Sequence, residues 1–217
     1  MLVRNLLAIS FSLAVVSVAN AQYWNLAGNW APPANPNGVW TYGELFGTTF
    51  TNLTYSGSSY EDGGVPLIGK NTSSSAVNGI NPGQVWLAAG IETPDARWTA
   101  PTSAFYAIEL VIGGTQATEG GGTGNLFAVD SGLNINGAAQ TGNYSTTNNT
   151  KTWVIVWDYL TAGTTVDAYV PDPGGGAGAD TQTYFQVTAV PEPAPVAVMT
   201  LGALGLFVRR RKPSRLR

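Results

Sequence analysis

The stretch Ala104–Ile112, AFYAIELVI, alternates. Tyr106, Ile108, Leu110 and Ile112 fall on one side, and Phe105, Ala107, Glu109 and Val111 on the other. A repeat of two is the period of a β-strand. It returns in Lys151–Leu160 (KTWVIVWDYL), which sets Trp153, Ile155, Trp157 and Tyr159 against Val154, Val156 and Asp158. It returns again in Thr164–Val170 (TTVDAYV), with Val166, Ala168 and Val170 against Thr165, Asp167 and Tyr169, and in Tyr184–Val190 (YFQVTAV). Shorter runs at Leu45–Leu53, Val65–Ile68, Val85–Ala89, Ala96–Ala100 and Asn125–Asp130 extend the pattern. Gly, Pro and Asn separate them, and Asn148-Asn149 and Pro173-Gly174-Gly175-Gly176 read as turns or loops. About eight or nine strands over residues 22–188 predict an all-β domain, an antiparallel two-sheet sandwich of jelly-roll type.

Composition narrows the chemistry. The chain has no Cys and no His. That removes disulfides, thiolate nucleophiles, imidazole bases and Cys- or His-ligated metals. A metal site would be built from oxygen, and Ca²⁺ is the ion it would take. Between Gln22 and Ala189, twelve acidic residues face three basic ones (Lys70, Arg97 and Lys151), a formal charge of −9. A domain of that sign repels nucleic acid, so no nucleic-acid partner is expected.

The basic residues gather at the ends instead. The start, MLVRNLLAISFSLAVVSVANAQ, has Arg4, then a short apolar run, then the small-x-small site Ala19-Asn20-Ala21 before Gln22. Residues 1–21 are the pattern of a secretory signal peptide, cut by signal peptidase after Ala21. At the other end, residues 194–208 are apolar apart from Thr200, Gly202 and Gly205. As a helix they would measure roughly 22 Å. A hydrocarbon core of about 30 Å makes that a short transmembrane span, feasible with snorkelling flanks. Arg209, Arg210, Arg211 and Lys212 follow at once, within the tail 209–217. The positive-inside rule places that tail in the cytoplasm and the domain outside the inner membrane.

Pro191-Glu192-Pro193, the Gly-interrupted apolar span and the arginine cluster together resemble the PEP-CTERM protein-sorting signal. The resemblance covers residues 189–217. It implies a bacterial protein of Gram-negative type, processed near the Pro-Glu-Pro by an exosortase and sent to the cell surface or extracellular matrix. Three stretches within the domain also resemble exported proteins with such tails. They are Asn35-Pro36-Asn37-Gly38-Val39-Trp40-Thr41-Tyr42-Gly43, Ala96-Arg97-Trp98-Thr99-Ala100-Pro101 and Ala162-Gly163-Thr164-Thr165-Val166-Asp167. The last has Thr164 where the relatives carry an aspartate. The resemblance implies a lectin-like or carbohydrate-binding-like sandwich without an established enzymatic activity.

Sugar faces stack on aromatic rings, and their hydroxyls pair with polar side chains in loops. Trp24, Trp30, Trp40 and Tyr42 lie in a Pro/Asn/Gly-rich segment and are the candidate glycan contacts, with extracellular polysaccharide as partner. Trp98, Trp153 and Trp157, on strand-like runs, are expected in the core. A purely structural matrix or adhesion protein without a defined ligand is the alternative. A glycoside hydrolase would need two carboxylates flanking the scissile bond. Glu109 and Asp158 are the candidates for it, with no motif around them. Asp172 with Asp180, and Glu61-Asp62-Gly63-Gly64, are acidic loops able to attract Ca²⁺, without EF-hand spacing. No catalytic residue, metal site or cofactor is assigned.

Overall fold

Alternating side chains become the two faces of pleated strands. The computed structural model describes residues 21–63, 65–89, 93–113, 132–140, 144–147, 150–171 and 179–191. Among the described residues every regular element is a strand, and no helix is long and apolar enough to cross a membrane. Residues 1–20 of the expected signal peptide, the expected strand Asn125–Asp130, the loops at 148–149 and 172–178, and the tail from Glu192 onward lie outside them.

Ala21–Val190 forms one compact unit of two antiparallel sheets. The large sheet runs in the order β12 (Tyr144–Thr147), β13 (Thr150–Leu160), β9 (Ala104–Ile112), β15 (Ala179–Val190), β7 (Val85–Ala89), β6 (Val65–Lys70), β5 (Ser59–Asp62) and β4 (Thr54–Ser56). The small sheet runs β11 (Ala138–Ala139), β10 (Gly132–Ile135), β14 (Thr165–Tyr169), β8 (Thr93–Thr99), β2 (Trp40–Phe46) and β3 (Thr49–Asn52). β15 is bound along both edges. β9 takes Thr183–Val190 on one side. On the other, β7 takes Ala179–Thr183 and β1 (Tyr23–Asn25) takes Gln186–Thr188.

The core lies between the sheets. From the large sheet come Tyr106, Ile108, Leu110, Ile112, Phe185 and Val187, and from the small one Trp40, Tyr42, Trp98, Val166 and Ala168. Rings interlock across the gap, Trp40 against Phe185 at 5.1 Å and Trp98 against Tyr106 at 5.0 Å. Each large side chain so buried contributes about 1.5–3 kcal/mol, and edge-on ring pairs add about 0.5–1.5 kcal/mol.

The three stretches that resemble exported relatives are neighbours here. They contribute β2, β8 and β14, side by side in the small sheet, with Trp40 opposite Trp98 and Asp167 opposite Arg97. Their polar residues serve the fold. The Asn35 amide donates to the carbonyls of Tyr42 (2.6 Å) and Leu53 (2.8 Å) and accepts from the Tyr42 N–H (2.9 Å). Gly38, at φ 60°, lets Asn37 and Trp40 exchange backbone hydrogen bonds across a tight turn.

Alternation locates the long strands well: Ala104–Ile112 and Val85–Ala89 have the expected bounds. Three expectations need correction. The described residues hold fifteen strands rather than eight or nine, because strands of two to four residues are too short to show a period. Leu45–Leu53 is not one strand, for the chain reverses at Gly47 (φ 64°) between β2 and β3. In β13 a bulge sets three steps, from Ile155 to Asp158, against two on β9, from Ile108 to Tyr106. Beyond it the faces exchange: Tyr159 is exposed and Leu160 is buried.

Candidate functional site

The aromatic residues expected at a sugar are turned inward. Trp40 is 1% exposed, Tyr42 0% and Trp24 7%, so the expectation of exposure is corrected for all three. The cause is their position: Trp24 and Trp40 lie on the inner faces of β1 and β2, and Tyr42 follows Trp40 by one full pleat. The ring of Trp24 meets Trp98 at 5.5 Å and Tyr106 at 6.0 Å. Trp30 is half-buried and packs on Tyr42 (4.8 Å) and Tyr60 (5.3 Å). Trp24 and Trp40 do share a small depression of about 230 Å³ with Asn29 and Asn37. Their ring faces are already covered, which leaves no surface for a sugar to stack on. Burial and the neighbouring Tyr60 push the Tyr42 hydroxyl well above its usual pKa, and burial together with Tyr55 pushes Tyr60 up to about 12. Trp98 and Trp153 are core, as expected.

Three exposed rings stand elsewhere, on the outer face of the large sheet, while Phe46, at the end of β2 in the small sheet, is 76% exposed. Phe105 (39% exposed) and Tyr159 (50%) are opposite each other on β9 and β13 and touch edge to face at 5.2 Å. Tyr23 (54%) is on β1 opposite Thr188 of β15, which is opposite Ala107 of β9. In the next row Val154, Glu109, Gln186 and Asn25 follow one another across four strands. The Tyr184 hydroxyl donates to the Gln186 side chain. Burial, then Glu109 and Tyr23 beside it, raises the pKa of Tyr184. A shallow groove of about 260 Å³ lies on this face, lined by Ala107, Ile108, Glu109, Val154, Gln186 and Thr188; the three rings stand on the same face but are not among its described lining residues. Period two had assigned Phe105, Ala107 and Glu109 to one face. It could not show that Tyr159 joins them, because the bulge put it there.

The outer face of the small sheet carries charge. Arg97 grips Asp167 through Nε (2.6 Å) and a second guanidinium N–H (3.0 Å), and its guanidinium lies 3.8 Å over the Phe50 ring. Asp95, two residues along β8, is fully buried and neither of its carboxylate oxygens has a hydrogen-bond partner. Burial, then Asp167, raises its pKa well above the usual value, while Arg97 pulls the other way. A third region, a cleft of about 310 Å³, brings Glu61 and Asp62 of the acidic loop together with Glu44 and Asn52. Among the described residues no group of three or more acidic side chains is arranged to hold a metal ion.

The hydrolase candidates stand in different rows. Glu109 is opposite Val154 and Asp158 opposite Tyr106, three residues apart along β9, roughly 10 Å at strand rise. Pro191 ends the described chain directly after β15, and Glu192, Pro193 and Arg209–Lys212 lie beyond. Among curated proteins and solved structures, none matches the chain. At the far end of β15 the correspondence is specific: residues 189–212 match the PEP-CTERM protein-sorting motif, which points to an exported protein sorted by an exosortase.

Proposed function

We propose that this chain is an exported surface or matrix protein whose sandwich is a non-catalytic, glycan-binding module of jelly-roll type. The match at residues 189–212 carries the first half. Signal peptidase removes residues 1–21, the apolar span holds the protein in the inner membrane, and an exosortase acts near Pro191-Glu192-Pro193. Two strand sequences support the jelly-roll reading. Both β7–β8–β9 and β13–β14–β15 pass from the large sheet to the small one and back. Exposed rings beside hydrogen-bonding side chains on one sheet face support glycan binding. The module acts without a metal or cofactor. A structural matrix protein without a ligand is the competing reading, and a blank glycan array would favour it.

Sorting is tested in the native cell by fractionation and intact-mass measurement of the wild-type chain and Glu192→Ala. The wild type should reach the surface fraction with its tail cut, and the variant should stay in the inner-membrane fraction at full tail mass. Equal masses in the same fraction would overturn the sorting reading.

A further inference from the structure

We propose that the groove floored by Ala107 on the outer face of the large sheet holds one ring of a neutral glycan chain, with Phe105, Tyr159 and Tyr23 as stacking surfaces beside it. This rests on the glycan-binding reading above and assigns it a place and a substrate class. Four observations converge on it.

The first is exposure. Three aromatic rings stand 39–54% exposed on neighbouring strands of one face. Single exposed apolar residues are ordinary on a surface, whereas several gathered on one face mark a contact surface. The second is shape. Ala107 is the small residue between the row of Phe105 and the row of Glu109, and its short side chain makes the floor of the groove. At about 260 Å³ the groove falls just under the ~300 Å³ at which enclosed small-molecule pockets begin. An open trough of that size suits a single ring of a polymer that continues at both ends. The third is spread. Tyr23 lies two strands from β9, roughly 10 Å at strand spacing, so its ring and the Phe105–Tyr159 pair can meet different units of one chain.

The fourth is charge and hydrogen bonding. Glu109 accepts, Gln186 donates and accepts, and Thr188 does both, which is the set needed to meet hydroxyl groups. Among the described residues Glu109 is the one charged residue in the lining, and no Lys or Arg lines the groove to balance it. An acidic polysaccharide would meet an unpaired carboxylate there, in a domain already at −9. A neutral polymer would not. A protein partner with an apolar face would have to desolvate Thr188 in one row and Glu109, Gln186 and Asn25 in the next.

The test uses the full chain in detergent micelles, run in native gels containing xyloglucan, mixed-linkage β-glucan or galactomannan, with alginate as the acidic polymer. At least one neutral polymer should retard the wild type and alginate should not. Ala107→Arg, which fills the trough, and the pair Phe105→Ala with Tyr159→Ala should each weaken retardation tenfold or more. Glu109→Gln, isosteric and surface-placed, should weaken it several-fold without moving the thermal midpoint. If a neutral polymer retards the wild type and all these variants equally, the groove is not the site, while the glycan reading stands. If alginate alone retards the wild type, the neutral-glycan groove falls while the glycan reading stands, and if no polymer retards it, both fall.

Discussion

Asp95 has 0% exposure and no hydrogen bond to either carboxylate oxygen. A carboxylate in that position would lose its hydration without replacement, so the fold favours the neutral acid. Asp167 adds to the effect and the Arg97 guanidinium, already committed to Asp167, only partly opposes it. The folded pKa therefore stands above the unfolded value of 3.8. A raised acid contributes stability that is fully present below the unfolded pKa and is lost as pH rises through the folded one. Urea unfolding midpoints should accordingly fall as pH rises from 4 towards 8. Asp95→Asn should flatten that slope and stabilise the protein at pH 7 by about 1 kcal/mol or more. A variant less stable than wild type at pH 7, with the slope intact, would count against a neutral Asp95. The packing around this acid is equally tight at Gly43, opposite it on β2. A Cβ at Gly43 would come within 2.5 Å of the Thr51 carbonyl and strike the Phe50 ring, which Arg97 holds in place.

β13 shows where an element escapes its sequence. Simple alternation puts Trp153, Ile155 and Tyr159 together, and Trp153 and Ile155 are indeed buried. One extra residue in the bulge then moves Leu160 into the core and Tyr159 out to Phe105. The energetic ranking follows the bulge. Leu160→Ala should cost about 2–5 kcal/mol, and Tyr159→Ala under about 1 kcal/mol, in urea unfolding at equilibrium. The reverse order would mean that the ladder runs on without the bulge. The same contrast measures how much of the protein is legible in advance. Long runs such as AFYAIELVI carry enough repeats to fix both strand and face. Two- to four-residue strands carry none, and a bulge leaves no mark in a string of apolar residues. The segment around Trp40 and Tyr42 looked like loop because Pro, Asn and Gly crowd it. Those residues build the tight entry into β2, and the rings beyond it face inward. The exposed aromatic face was half legible: Phe105, Ala107 and Glu109 share a period, whereas Tyr23 and Tyr159 reach it through pairing partners distant in the chain.

At the scale of the domain, β15, the last of the described strands, pairs with three others. β15 joins β9 on one side and both β7 and β1 on the other, and the Ala189 N–H closes on the Gln22 carbonyl at 2.8 Å. A chain ending at residue 178 therefore lacks the middle of its large sheet, while one ending at Val190 keeps all of it. Near-ultraviolet circular dichroism should separate the two. The longer chain should show a fixed tryptophan signal and cooperative melting, and the shorter one neither. Equal signals would show that the remaining strands close without β15.

Vectorial synthesis gives that topology a further meaning. The ribosome makes β15 after every strand it must join, and β1, made first, waits for it. Until residue 190 has emerged, the large sheet stays divided down its middle, with β9 and β7 unable to meet. Non-local pairing of this kind is slow to form. The large sheet thus closes only when β15, the last of the described strands, has left the ribosome.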